Sequence, residues 1–313
     1  MLYGLLSTSG VSFTPAKDIP DLSGKVIFIT GGNAGLGKES ALQLSAHNPS
    51  HIYLSCRDGS KAKAAIQDIQ SSVPSARLTF IQCDLTSLAS VLAAAQEFTR
   101  VESRLDILML NAGIMAVPPS TTEDGYEIQF GTNHVGHALL TKLLMLTLLR
   151  TAEAGADVRV VALSSIAHVT ASGIQFSGLK SAAGGVFTNM TRYGQSKLAN
   201  ILFVRELQRR YGARGVTAVA VHPGIVRTEL YGSVFGGLLT GAVGRMVKAW
   251  YTSVGDGARG QLWAATGKKG EVVGGGYYTP VGVVEQCTGV SRDTKLAAEL
   301  WEWTEKELEA YNI

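Results

Sequence analysis

The chain is 313 residues long, 46% apolar and 17% charged, which excludes a disordered polypeptide and leaves enough for a sizeable core. With 28 basic and 25 acidic residues the net charge is +3, and no basic run stands out, so a nucleic-acid partner is excluded. Three cysteines, Cys56, Cys83 and Cys287, form no C-x-x-C pair and leave one over, the usage of a reduced, cytoplasmic compartment.

In chain order, residues 1–21 read as an N-terminal extension. Its MLYGLLSTSGVSF start is apolar but lacks a basic n-region and any run near the ~20 residues of a membrane span. Neither a secretory signal nor a transmembrane segment is expected. From residue 22 to 313, short β-branched runs alternate with longer helical ones, the pattern of a single domain. Lys25–Thr30 (KVIFIT), His51–Cys56 (HIYLSC), Leu78–Cys83 (LTFIQC), Asp106–Asn111 (DILMLN), Val158–Ser164 (VRVVALS) and Val216–His222 (VTAVAVH) read as six buried strands. Tyr277–Tyr278 reads as a seventh. Between them, Lys61–Ser71, Ser87–Glu102, Val135–Arg150 and Ser196–Tyr211 read as helices, and Thr294–Tyr311 as a last one packed on the sheet. Apolar strands alternating with helices predict an α/β fold, a doubly wound parallel sheet of order 3-2-1-4-5-6-7. A substrate-side elaboration is expected near residues 166–191 and 229–255, the second containing the Gly-rich apolar run Tyr231–Trp250.

The first strand runs into Thr30-Gly31-Gly32-Asn33-Ala34-Gly35-Leu36-Gly37. The G-x-x-x-G-x-G spacing alone is uninformative, because Gly270, Gly274 and Gly276 repeat it. Context separates the two. Only the first follows a buried strand and opens a helix, where free N–H groups and the helix dipole hold a pyrophosphate. At the end of the second strand stands Arg57, followed by Asp58. An acid in that slot would bond a ribose 2′-hydroxyl, whereas an arginine suits a 2′-phosphate, so NADP(H) is expected over NAD(H). Lys38, one residue past the loop, is expected to add charge there.

Tyr193 and Lys197 lie i,i+4 at the start of a predicted helix, phenol and ammonium on one face. A phenol titrates near ~10 and needs a nearby cation to exchange protons at neutral pH. By spacing alone such a pair is as consistent with a surface contact as with catalysis.

These features, with Cys83-Asp84-Leu85, Asn111-Ala112-Gly113, Asn133, Ser164-Ser165 and Pro223-Gly224, occur in the order of the short-chain dehydrogenase/reductase family. The chain resembles that family from Leu22 to its C-terminus. Within it, Thr30–Glu39, Ser55–Asp58, Tyr193–Leu202 (YGQSKLANIL) and Leu300–Glu305 (LWEWTE) resemble most the retinol-dehydrogenase-like and WW-domain-oxidoreductase-like branch. The resemblance implies a Rossmann-type domain with Tyr193 as general acid/base and Lys197 lowering its pKa while holding the nicotinamide ribose. It implies that Ser165 bonds the substrate oxygen and that Asn133 holds a water linking Lys197 to solvent. Cofactor contacts would come from Gly31, Asn33, Gly35, Leu36, Gly37, Lys38 and Arg57. Asp84 and Leu85 would meet adenine, Asn111, Ala112 and Gly113 would border the cofactor, and Pro223, Gly224, Val226 and Thr228 would flank the nicotinamide. Ser165 and Tyr193 are 28 positions apart (193 − 165), more than in many relatives, so the insertion Gly173–Thr191 should line the substrate entrance.

The expected reaction is NADP(H)-dependent reduction of a small-molecule carbonyl, or the reverse oxidation of an alcohol, with the run Tyr231–Val247 favouring a lipophilic or aromatic substrate. Enoyl or imine reduction or dehydration at the same site, and a non-catalytic NADPH-binding sensor or scaffold, are the alternatives. A homo-oligomer through the helices after Phe130 and Tyr193 stays open. No metal is expected: His134 and His137, i,i+3, have no Cys, Asp or Glu nearby to complete a site. His168, three residues after Ser165, is a candidate for facing substrate, while Trp301 and Trp303 read as core or subunit contacts.

Overall fold

The run Val26–Thr30 is buried along its whole length, as a strand covered on both faces must be, and forms β1. In a computed structural model, which describes residues 10–182, 186–226, 252–279, 281–284 and 288–311, six further strands join it. They are β2 (His51–Cys56), β3 (Leu78–Gln82), β4 (Ile107–Leu110), β5 (Val158–Leu163), β6 (Val216–Val221) and β7 (Tyr277–Tyr278). Every pairing is parallel, and the order is β3-β2-β1-β4-β5-β6-β7, as the alternation predicted.

Among the described residues, seven helices of eleven residues or more cover the sheet or pack on its cover: α1 (Gly35–Ser45), α2 (Gly59–Ser72), α3 (Leu88–Val101), α4 (Gly136–Glu153), α5 (Val186–Tyr211), α6 (Val254–Thr266) and α7 (Thr294–Glu307). One face of the sheet buries Phe28 and Leu108 against Phe98 of α3, Leu139 of α4 and Leu202 of α5. The other buries Ile27, Ile29 and Val219 against Leu44 of α1, Ile69 of α2 and Leu262 of α6. The described part of the N-terminal extension is tied in: Phe13 and Ile19 are buried, and Val11 N–H donates to Val281 O at 2.8 Å. The run Ile128–Glu153 is long and apolar enough to cross a membrane, but 83% of its most apolar window is buried inside this fold.

Three elements depart from the expectation. α5 starts at Val186, ahead of the predicted helix start, and runs through Gly194 without a break. A Cβ at Gly194 would strike Thr170 Oγ1 and Ala167 O, so the glycine lets α5 lie against the turn Ile166–Thr170 that follows β5. Ahead of α4, Gly131–Val135 forms a π-helical turn, in which the Gly136 N–H reaches back five residues to Gly131 O. Such widened turns recur at functional sites. α7 packs chiefly on α5 rather than on the sheet: Trp301 stacks on Phe203 with ring centroids 5.5 Å apart, and Trp303 meets the edges of Tyr126 and Phe130.

Candidate active site

The C-terminal ends of β1 to β6 open into one cleft of about 830 Å³. The strand order reverses between β1 and β4, the place where parallel sheets leave room for a ligand. Gly31 and Gly35 turn the loop with φ of +68° and +53°, values that a side chain strongly disfavours. Ala34 at the N-cap of α1 offers no side-chain cap, so the helix presents its first N–H groups to the cleft. Gly31, Asn33, Gly35 and Leu36 line the cleft as expected. Gly37 stands behind it, since a Cβ there would strike Gly31 O and the Asn111 side chain. The loop therefore fits a pyrophosphate.

Arg57 and Lys61 line the far end of the cleft. Asp58 is engaged as the N-cap of α2, its Oδ1 accepting from Ser60 N at 2.9 Å and Lys61 N at 3.1 Å. One carboxylate oxygen of Asp58 is thus committed to the helix N-terminus, while Arg57 and Lys61 make this part of the cleft wall basic. Lys38 corrects the expectation: it is absent from the cleft wall and its ammonium pairs with Asp68 of α2. Lys61, not singled out from the sequence, is the second cation there. Asp84 closes its own turn through Thr86 N (2.9 Å) and Thr86 Oγ1 (2.8 Å), and with Leu85 lines the cleft. Asn111, Ala112, Gly113, Pro223, Gly224 and Val226 line it too, whereas Thr228 and the run Tyr231–Trp250 lie outside the described residues.

Tyr193, Lys197 and Ser165 converge on the same cleft. Lys197 Nζ donates to Leu163 O at 3.1 Å and lies 5.6 Å from the Tyr193 ring centroid. Burial lowers its pKa to about 8. The structure separates two serines that spacing could not. Ser164 Oγ donates to Lys197 O at 2.8 Å, tying α5 to β5, whereas Ser165 Oγ accepts from Ala167 N at 3.2 Å and keeps its proton to donate. Asn133 is fully buried and does not itself line the cleft. Its side chain accepts from Ile114 N (2.8 Å) and donates to Ile114 O and Ser196 Oγ (2.9 Å each), while Ser196 Oγ donates to Tyr193 O (2.8 Å). Gly113 leaves open the space between Asn133 and Lys197: a Cβ there would sit 3.1 Å from Asn133 Oδ1 and 3.4 Å from Lys197 Nζ.

Sequence reading missed Ser196 and Asn200. Asn200 Nδ2 donates to Leu163 O at 3.0 Å beside Lys197, and its i+3 spacing from that lysine was the available signal. His168 does not face the cleft: it is buried, its Nδ1–H donates to Ser165 O at 2.8 Å, and its ring meets Tyr277 edge-on. His134 packs against Phe130 and Phe203, and no cluster of metal-ligating side chains occurs among the described residues.

The buried lysine makes a stability prediction. Its folded pKa of about 8 lies below the unfolded ~10.4, so folding opposes its charge. The penalty is full below pH ~8 and is relieved as pH rises toward ~10.4. Lys197→Met leaves Leu163 O still bonded by Asn200, so it should stabilise the cofactor-free protein at pH 7 by about 1–3 kcal/mol while turnover is lost. Urea unfolding of both proteins reads the sign. A destabilised methionine variant would show that the ammonium is well solvated.

A sheet of this order, with an uncapped helix after β1 and a tyrosine–lysine pair in the cleft, defines a pyridine-nucleotide oxidoreductase. The short chain dehydrogenase family model matches residues 25–236. The chain is 39% identical to the short-chain dehydrogenase/reductase drtF of Aspergillus calidoustus, over 93% of this chain and 95% of that one. To retinol dehydrogenase 12 of Mus musculus it is 38% identical over 90% and 85%. NADPH-bound carbonyl reductase from chicken fatty liver superposes with a TM-score of 0.59 at 26% identity, over 82% of this chain and 95% of that one. The chain belongs to the short-chain dehydrogenase/reductase family, on its retinol-dehydrogenase-like side.

If Arg57 grips the 2′-phosphate, Arg57→Ala should weaken NADPH binding by about 1.5–3 kcal/mol and leave NADH nearly unchanged. Fluorescence titration with both nucleotides decides it. Equal losses would make Arg57 a structural residue.

Proposed function

We propose that the protein interconverts the carbonyl and alcohol forms of a lipophilic or aromatic small molecule, ketone and secondary alcohol or aldehyde and primary alcohol, with Tyr193 as the general acid/base. The observation that carries this reading is the convergence of Tyr193, Lys197 and Ser165 on the cleft that holds the glycine loop. When bound, the nicotinamide supplies the hydride in reduction and takes it back in oxidation. The Ser165 hydroxyl donates to the substrate oxygen and stabilises the negative charge that develops there. Tyr193 gives that oxygen its proton. Lys197, with one N–H on Leu163 O, keeps two for the ribose and the phenol side, and its charge favours the phenolate left behind. Asn133 holds Ile114 and Ser196 in place and would hold the water that links Lys197 to solvent.

Residues 166–191 and 229–255 would shape the substrate end of a domain spanning 22–313, and the apolar run Tyr231–Val247 supports a lipophilic substrate. The names of the retinol dehydrogenase and carbonyl reductase relatives support the same class. The free thiols Cys56 and Cys83 suit a cytoplasmic setting, where a reduced NADP pool would favour carbonyl reduction.

The test is an NADPH titration followed by turnover on retinal, benzaldehyde, long-chain aldehydes and aromatic ketones. Saturable NADPH binding with turnover of at least one carbonyl is expected. Stoichiometric binding without any turnover would leave a sensor or scaffold, and turnover confined to enoyl or imine substrates would move the chemistry to another bond.

A further inference from the structure

His137 has no role in the chemistry above, yet it is buried at the junction of the cofactor loop and the catalytic turn. Its Nδ1 lies 3.1 Å from Asn133 O and its Nε2 lies 2.9 Å from Thr30 Oγ1. A carbonyl oxygen only accepts, so the proton sits on Nδ1. Burial is the main cause that lowers the pKa of this imidazole to about 3, so the ring is neutral at working pH and Nε2 is an acceptor. Thr30 Oγ1–H therefore donates to Nε2 rather than to the more distant Met109 O at 3.4 Å.

That choice orients the remaining lone pairs of Thr30. Its Oγ1 accepts from Asn111 N at 2.9 Å and from Ala112 N at 3.0 Å. Asn111 in turn donates its side-chain amide to Thr30 O at 2.8 Å. The threonine hydroxyl is thus fully used, and each partner is fixed by its direction. On the other arm, the imidazole holds the main-chain carbonyl of the residue whose side chain braces Ile114 and Ser196.

We propose that His137 is a positioning residue, a neutral two-armed strut that holds the Asn133 carbonyl of the π-helical turn in register with the Thr30–Asn111 floor of the cofactor cleft. Its Nδ1–H arm fixes the main-chain oxygen of Asn133, the residue whose side chain braces Ile114 and, through Ser196, the Tyr193 carbonyl. Its Nε2 arm sets the strand ends against which the glycine loop packs. Occupancy of the nucleotide site and alignment of the proton relay are coupled through one ring. This rests on the reading of Asn133 and Lys197 as relay partners.

The two arms are separable by substitution. His137→Gln places an amide oxygen near Nε2, keeping an acceptor for Thr30 and losing the donor to Asn133. His137→Asn places an amide nitrogen near Nδ1 and does the reverse. NADPH affinity by fluorescence titration and kcat with benzaldehyde or retinal are then measured for both, with thermal unfolding as control. The glutamine variant should bind NADPH within twofold of native and lose about tenfold in kcat. The asparagine variant should lose about three- to tenfold in NADPH affinity, with the smaller loss in kcat. Equal losses in both columns, native behaviour of both variants, or failure of both to fold would overturn the proposal and leave His137 a packing residue. If the native enzyme reduces no carbonyl, the proposed function fails on its own, and the titrations still read the Thr30 arm.

Discussion

Tyr193→Phe should leave NADPH affinity near native and lower turnover by about 10²–10⁴-fold, the usual contribution of a positioned proton donor. The ring is 4% exposed and its main-chain oxygen is held by Ser196, so phenylalanine keeps the packing and the helix. Only the phenolic oxygen goes. In reduction, the substrate oxygen would then develop charge against Ser165 alone, with no acid in place to quench it. The loss should appear in kcat and persist in single turnover, because it falls on the chemical step rather than on binding or release. Ser165→Ala should lower kcat by a separate factor, and the double variant should fall short of the product of the two, as expected for groups acting on one oxygen. A Tyr193→Phe enzyme with near-native kcat would remove the tyrosine from the mechanism, and Lys197 and Ser165 with it.

What the sequence made legible was whatever local chemistry dictates. The strands were read to within a residue at each end, because central strands buried on both faces are short, near-continuous apolar runs; the edge strand β3 is the exception, expected as buried but with only Ile81 buried and Thr79 and Gln82 exposed. The glycine loop was legible from its place between a strand and a helix, not from its spacing. The rest depends on contacts remote in sequence. Lys38 looked available to the cofactor until Asp68, thirty positions away, was seen to hold it. The helical period through Gly131–Val135 gave no hint of a π-turn, since Asn133 must reach both Ile114 and Ser196, and those demands come from the loop after β4 and from α5. The packing role of Gly194 was hidden for the same reason: its value lies in the residues it touches, Thr170 and Ala167, and not in its own propensity. His137 was weighed as a metal ligand and set aside, but its partner Thr30 lies 107 positions earlier and could not be paired with it from sequence.

The buried histidines should also make the fold acid-labile. Burial holds His134 and His137 to a pKa of about 3 and His222 to about 4, against ~6.5 for the unfolded chain. Each depressed base must stay neutral in the fold, whereas the unfolded chain binds its proton freely. Stability is therefore fully present above pH ~6.5 and is lost as pH falls from there toward 4 and 3. At pH 5 each of the three costs about 2 kcal/mol, or about 6 kcal/mol together, much of the usual margin of a domain. His168, lowered in the same direction by burial, adds to the sum. The carboxylates do not offset it: Glu206 and Glu307 are held below their ordinary range, so their loss begins at lower pH and has the same sign. Urea unfolding between pH 8 and 4.5 should show a slope approaching 4 kcal/mol per pH unit near pH 5, the uptake of about three protons on unfolding. His134→Phe, which keeps an aromatic ring between Phe130 and Phe203, should remove about a third of that slope. A stability flat between pH 6.5 and 4.5 would mean that these imidazoles are hydrated and titrate normally, and that the neutral ring required for the His137 strut is not enforced by burial.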